Sequence, residues 1–327
     1  MKIPITQSKE WQKLQHDLKE TSFFEKTEDY QYLAILKKTP VGNYLYLPYG
    51  PVADTREGIT TALKSLKTLA SKYKAFFIRL EPQNSHVAHF LPKNVKKVKD
   101  ISPADTWVLD LTPDKATLIS NFSQGTRTRY NNYAKKGLTV EVTKDPAAIK
   151  HLVCLQNKLF KAKHLTAYEE DYLKTELSQP FASLYLVKYQ KNEIVTKGND
   201  KAPTPSQEPL PKDNQILAAS LFFDYNDIRY YMQSAADMDY RKLPATVALL
   251  TTAIFDAKEQ GIKYFDFWGI APEGADHTHP WYGFTEFKKS FGGAEHHYTG
   301  TYDLILKPAK YHLYNIIRWV NLKWRHK

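Results

Sequence analysis

Early in the chain the period of the apolar positions changes several times. "SKEWQKLQHDLKE" (8–20) sets Trp11, Leu14 and Leu18 three and four residues apart behind Ser8, which predicts a capped helix. "YLAILKK" and "YLYLPYG" are strand-like and are joined by "TPVGN", which predicts a hairpin. Helical spacing returns over 56–73, with Ile59, Leu63, Leu66 and Leu69 on one face. "AFFIRLEP" is a short apolar strand, the pattern of a strand covered on both faces. Residues 84–104 read as a basic loop. "TWVLDL" reads as a strand, 112–137 as a helix pair or a broken helix, and "LTVEVT" as a strand.

A second block repeats the theme. Helices are predicted over 146–160 and 168–177, and long strands in "SLYLVKYQKNEIV" and "ILAASLFFDYNDIRYYMQSA". A helix over 244–260 ends at Gly261, a natural left-handed stop. "KYFDFWG" and "TYDLILKP" are further strands. Residues 196–215 carry four prolines among polar residues and predict a disordered loop tip inside a hairpin. The last segment, from Pro308, is an amphipathic helix with a basic end. Docking on the first block is its simplest role, and contact of its basic end with phosphates or lipid is the sharper one. Strands and helices thus mix in two blocks. The expected fold class is α+β, with a first lobe over 1–145 joined by the helix 308–327 and a second lobe over 146–307.

Composition adds a partner class. The 327 residues carry a net charge of +11. That excess favours a polyanion: nucleic acid, a phosphorylated substrate or an anionic membrane surface. Cys154 is the single cysteine and lies in an apolar helical pattern, which predicts a buried thiol rather than a nucleophile. The start of the chain has no apolar signal region, and no window is apolar enough to span a bilayer. A cytoplasmic protein is expected, with peripheral membrane contact as an option.

The chemistry-bearing patterns are mostly negative. There is no Walker A sequence, no GxGxxG, no GxSxG and no HExxH. The histidines of "DHTH" (276–279) and "HH" (296–297) lack the spacing of a metal site and read as loop residues. Two positive features remain. "MDYRKLPAT" joins a strand to a helix, with Pro244 in the first helical turn and Arg241 as a phosphate donor beside it. "GTRTRYNNYAKKG" interleaves Arg127, Arg129, Lys135 and Lys136 with Tyr130 and Tyr133, a footprint for an RNA backbone with aromatic stacking, or else a solvated basic face.

"QSKEW", "YLPYGPVAD", "IRLEP", "GTRTRYNNYAKKGLTVE", "YYMQSAADMDYRKLPAT" and "GFTEFKKSFGG…YTGTYDLIL" follow one another in an order that resembles the Fem family, the aminoacyl-tRNA-dependent transferases that build peptidoglycan bridges. The resemblance implies two GCN5-like N-acyltransferase lobes in tandem. The coiled-coil arm of some members has no counterpart here. It implies transfer of an amino acid from aminoacyl-tRNA to an amine on the stem peptide of a UDP-linked or lipid-linked precursor. No metal or redox cofactor is required. Residue by residue, Lys13 and Arg241, with Tyr240 beside the latter, match positions that hold the precursor's diphosphate. Phe287 matches the ring that stacks on the tRNA's terminal adenine, and Lys288 the cation that faces the reacting ester. Glu81 takes the place of an acidic residue with a possible role as base. Arg127, Arg129, Lys135 and Lys136 would face the tRNA backbone. Two other readings stay open: an acyl-CoA-dependent N-acyltransferase, against which the missing glycine-rich pyrophosphate loop argues, and a non-catalytic tRNA-binding protein.

Overall fold

Ser8 does cap the first helix. Its Oγ accepts from Trp11 N at 3.0 Å, and α1 runs Lys9–Asp17. The computed structural model describes residues 3–83, 89–92, 94–163, 168–191 and 210–325. The chain divides into two units, Met1–Thr106 with His296–Lys327, and Trp107–Glu295.

In the first unit, β1 (Ser22–Lys26), β2 (Gln31–Thr39) and β3 (Gly42–Leu47) form an antiparallel meander. Helix α2 (Arg56–Lys72), capped by Thr55, crosses over to β4 (Ala75–Leu80), which pairs parallel with β3. The α2 stripe is the predicted one. Ile59, Leu63 and Leu66 are buried with Leu45, Ile78 and Leu80, and Leu69 lies at the margin of the cluster. All six residues of β4 are buried, which explains why it is apolar apart from Arg79. Strand β5 (Val95–Lys97) lies in the stretch read as loop, because three residues with two lysines carry no strand signal.

The second unit opens with β6 (Asp105–Asp110), α3 (Lys115–Asn121), α4 (Gln124–Asn132) and β7 (Leu138–Thr143). Helices α5 (Ile149–Lys163) and α6 (Glu170–Leu177) precede β8 (Ala182–Tyr189), β9 (Ile216–Tyr225) and β10 (Ile228–Ala236). Helix α7 (Ala245–Glu259) crosses over to β11 (Tyr264–Gly269), parallel to β10. Helix α8 (Tyr282–Lys289) and β12 (Ala294–His297) complete a sheet of order β12-β6-β11-β10-β9-β8-β7. Both units therefore contain the same motif: antiparallel strands, a crossover helix, then a parallel strand. The chain then returns to the first unit through β13 (Tyr302–Ile305) and α9 (Pro308–Arg325). β13 inserts between β4 and β5, and Tyr311 of α9 packs with Phe76 and Phe77.

The structure changes four of the expectations. The division falls at 106 rather than 145, because β7 pairs antiparallel with β8 and β6 sits in the same sheet, so 107–145 belongs to the second unit. The return begins at 296 rather than 308, because β13 belongs to the first sheet. "ILAASLFFDYNDIRYYMQSA" is two strands, not one. Asn226 and Asp227 turn the chain at φ 49° and 62°, left-handed values that Asn and Asp tolerate in a two-residue hairpin. Cys154 lies on the exposed side of α5, while Leu152, Leu155 and Gln156 face inward. Of the proline-rich segment 196–215 read as disordered, 196–209 lies outside the described residues.

Glu176 in α6 is buried, and its Oε2 has no hydrogen-bond partner among the described residues. Burial pushes its carboxyl up to about 8, against a smaller downward pull from the Tyr172 hydroxyl. The folded chain therefore holds a proton there that the unfolded chain releases near pH 4.5. Stability falls as pH rises from the unfolded value to about 8 and then levels. Glu176→Gln keeps the shape and removes the titration. Urea unfolding at pH 5 and pH 8.5 is expected to show the variant more stable than the wild type at the higher pH by roughly 3–5 kcal/mol, with little difference at the lower. An unchanged pH slope would rule the buried proton out.

Candidate functional site

Helix α8 is where "GFTEFKKSFGG" folds. Thr285 ties its first turn to the strand end before it: the Oγ1 accepts from Ala271 N at 2.8 Å and donates to Trp281 O at 2.8 Å. Beyond the helix, Gly293 has φ 99°, and a Cβ there would lie 2.5 Å from Val108 O, so only glycine fits. His279 and Asp276 of "DHTH" serve the turn into the helix. Trp281 N donates to His279 Nδ1 at 3.2 Å, and Asp276 Oδ1 accepts from Thr278 N at 2.8 Å.

Lys288 is the unusual residue. It is 1% exposed. Its Nζ donates to Gly269 O at 2.5 Å and lies 3.9 Å from the centre of the Phe284 ring. The Tyr231 ring stands 6.0 Å away. Burial drives the amine down to about 7, and buried Asp266 pulls weakly the other way. The ammonium thus exchanges its proton near neutrality, which an exposed lysine does not do. Sequence reasoning picked Lys288 but missed Asp266, Tyr231 and Phe284 around it. The one available signal was "FDFWG", where an acid interrupts an apolar strand.

Phe287, expected as a stacking platform, is half-buried instead. It packs on the core cluster and meets Phe291 edge-on at 5.3 Å. Its neighbours Trp281, Tyr282 and Phe284 are the exposed rings of this helix. Lys289 is exposed, 3.7 Å from Glu286, as a surface lysine.

A second constellation forms where α4 meets the start of α7. Thr128, Arg129, Asn132, Lys135, Lys136 and Pro244 line a cavity of about 310 Å³. No side chain caps α7's first turn, whose N-cap is Pro244. The positive end of a 15-residue helix and three cationic side chains therefore face one basin, an arrangement suited to phosphate. The structure thus brings together Arg129, Lys135 and Lys136. It does not add Arg127, whose guanidinium donates to Ser120 O at 2.9 Å and to Phe122 O, closing the end of α3. Tyr130 and Tyr133 also point elsewhere: both pack against the core, Tyr130 on Phe255. Arg241 is exposed on the turn before α7 and does not line the basin, and Tyr240 is half-buried on the core.

The remaining expected residues lie in the first unit. Lys13 is an exposed residue of α1, 3.0 Å from Asp17 one turn on. Glu81 is buried. Its carboxylate accepts from Thr301 Oγ1 at 2.9 Å, Tyr46 Oη at 3.0 Å, Ser102 N at 3.0 Å and Tyr49 N at 3.4 Å. A carboxylate with every oxygen so engaged clamps loops. Those four bonds occupy the acceptor sites of the carboxylate, an arrangement that suits tying loops together.

Residues 188–318 match the FemAB family. Among solved structures the chain is similar to FemX, with 18% identity and a TM-score of 0.79 over 95% of this chain and 94% of that one. It is similar to L-PGS from Bacillus licheniformis, with 13% identity and a TM-score of 0.58 over 98% and 99%. It is also similar to the C-terminal domain of a putative lysylphosphatidylglycerol synthetase from Agrobacterium fabrum, with 14% identity and a TM-score of 0.59 over 93% and 90%. At such identities these likenesses establish the fold, two mixed α/β lobes in tandem. Among the described residues the longest helix, α9, has 18 residues, and no coiled-coil arm is found. No curated protein matches the sequence.

Proposed function

We propose, from the match of residues 188–318 to the FemAB family, that this chain transfers an amino acid from aminoacyl-tRNA to an amine on the stem peptide of a peptidoglycan precursor. The observation that carries the reading is Lys288: a buried amine, titrating near neutrality, in a helix of the matched segment.

The reaction needs little activation. The amine nitrogen attacks the ester carbonyl, a C–N bond forms, and the carbonyl oxygen takes the charge. Collapse breaks the bond to the 3′-terminal ribose oxygen, which leaves and must gain a proton, while the attacking nitrogen loses one. Alignment supplies much of the rate. Lys288 supplies the rest: as a cation it faces the developing oxyanion, and as an acid it protonates the leaving oxygen. An amine pushed down to about 7 is a far better proton donor at neutral pH than an ordinary lysine. The ester reaches Nζ only when the Phe284 ring moves aside. Arg241, exposed on the turn before α7, is the residue we assign to the precursor's diphosphate.

The basin around Arg129, Lys135 and Lys136 is the proposed seat for tRNA phosphates. Reversing charge with Arg129→Glu and Lys136→Glu is expected to weaken tRNA binding by roughly tenfold or more. Its dependence on salt should flatten by about one unit of slope for each phosphate that is no longer neutralised. Filter binding over a salt series reads both. An unchanged slope would remove the basin from the tRNA path.

The assay for the function combines purified protein, a pool of charged tRNAs, and UDP-linked or lipid-linked precursor, with product mass as readout. The likeness to a putative lysylphosphatidylglycerol synthetase adds phosphatidylglycerol as a third acceptor to test. A product on none of these acceptors would overturn the reading. Tight coenzyme A binding in a thermal-shift experiment would move it to acyl-CoA chemistry.

A further inference from the structure

Helix α9 presents two unlike faces. Tyr311 is buried, and with Tyr314 it packs on Phe76 and Phe77, holding the helix against β4. On the other side Leu313, Ile316 and Val320 are 49%, 46% and 37% exposed, and Trp319 is 57% exposed. Leu313, Ile316 and Val320 are spaced three, then four residues apart, so they form one stripe along the helix. Three aliphatic side chains in a row on a helix that already has a packed face are more than scattered surface residues.

Charge says what covers the stripe. After Asp303 the sequence contains no Asp or Glu, yet it contains Lys307, Lys310, Arg318, Lys323, Arg325 and Lys327. The segment that carries the stripe is therefore of one sign in sequence. An anionic lipid surface offers both halves: acyl chain for the stripe, phosphate for the cations. Trp319 beside the stripe is a residue type that favours the headgroup depth. Among the described residues no helix is long and apolar enough to cross a membrane, so the contact is one of a helix lying in the interface.

We propose that the exposed face of α9, built on Leu313, Ile316 and Val320, docks the protein on anionic phospholipid bilayers. This face lies on one helix and is independent of the transferase reading.

The test is co-sedimentation of the full chain with vesicles of phosphatidylcholine alone and of phosphatidylcholine with about one-third phosphatidylglycerol. Binding to the anionic vesicles only, weakened by salt, is expected. Ile316→Glu with Val320→Glu should lower that binding at least about tenfold while circular dichroism stays unchanged, since both side chains point to solvent in the free protein. No binding to anionic vesicles overturns the proposal, as does equal binding by the variant. A wild-type dimer that the same substitutions dissociate also overturns it, because a second copy would then be the cover.

Discussion

Replacing Lys288 with methionine is expected to stabilise the folded chain at neutral pH while lowering aminoacyl transfer by roughly a hundredfold to a thousandfold or more. The two effects have one cause. In the unfolded chain the amine titrates near 10.5, and in the fold burial brings it down to about 7. Between those values the unfolded state binds more protons than the folded one, so stability rises with pH across that window. Below pH 7 the cost of burying the amine is present in full, on the order of 4–5 kcal/mol. Methionine fills a similar volume without it. The substitution also leaves Gly269 O without the donor it has at 2.5 Å, which costs about 1–3 kcal/mol. The net expectation at pH 6 is a gain of about 1–3 kcal/mol, shrinking toward pH 10.

The combination separates the roles. A lysine that serves only the fold would lose stability on replacement, with activity following the folded fraction. A lysine kept for chemistry yields a more stable and inactive protein. Urea unfolding at pH 6 and pH 9, beside transfer assays on the same preparations, reads both. Full activity in the methionine variant would falsify the assignment. Loss of both stability and activity would make Lys288 a structural residue.

The legible parts of this chain were those set by neighbours in sequence. Ser8 and the stripe of α2 needed only a period and a cap. The helix pair over 112–137 and the stop at Gly261 were equally local. What failed was decided by pairing across long separations. Nothing within "TWVLDL" or "LTVEVT" states which sheet the strand joins, and that choice moved the boundary from 145 to 106. Arg127 and Arg129 look alike in sequence. One folds back onto the carbonyls of α3 and the other lines the basin, because residues two apart on a helix face different ways. Phe287 packs on the core and Phe284 is the ring over Lys288, because the face of α8 that buries Lys288 was not visible before its contacts were. Asn226-Asp227 is different, since its turn chemistry was readable and was overlooked in a long apolar run.

Asp303→Ala is expected to cost about 3–5 kcal/mol and to loosen β13 and α9 before the rest of the first unit. Asp303 is wholly buried opposite Arg79 in the β13–β4 register. Its two oxygens accept from Arg79 Nε and Nη2, each at 2.7 Å, and Oδ2 also accepts from Tyr311 Oη at 2.7 Å. The guanidinium stacks over Phe77 at 5.2 Å and Tyr44 at 5.7 Å. Removing the carboxylate leaves a buried cation among aromatic rings, with no other acid paired to it among the described residues. The loss is therefore that of stranding a charge, which exceeds the net worth of the pair. The same physics predicts that Arg79→Met with Asp303→Leu recovers most of the stability, since neither charge then pays for burial. The cycle of both single variants and the double one, measured by urea unfolding, should show strong coupling. Hydrogen exchange should show Asp303→Ala opening first in β13 and α9, the elements this carboxylate ties to β4. A double variant no more stable than either single one would mean that the pair contributes specific packing that apolar side chains do not replace.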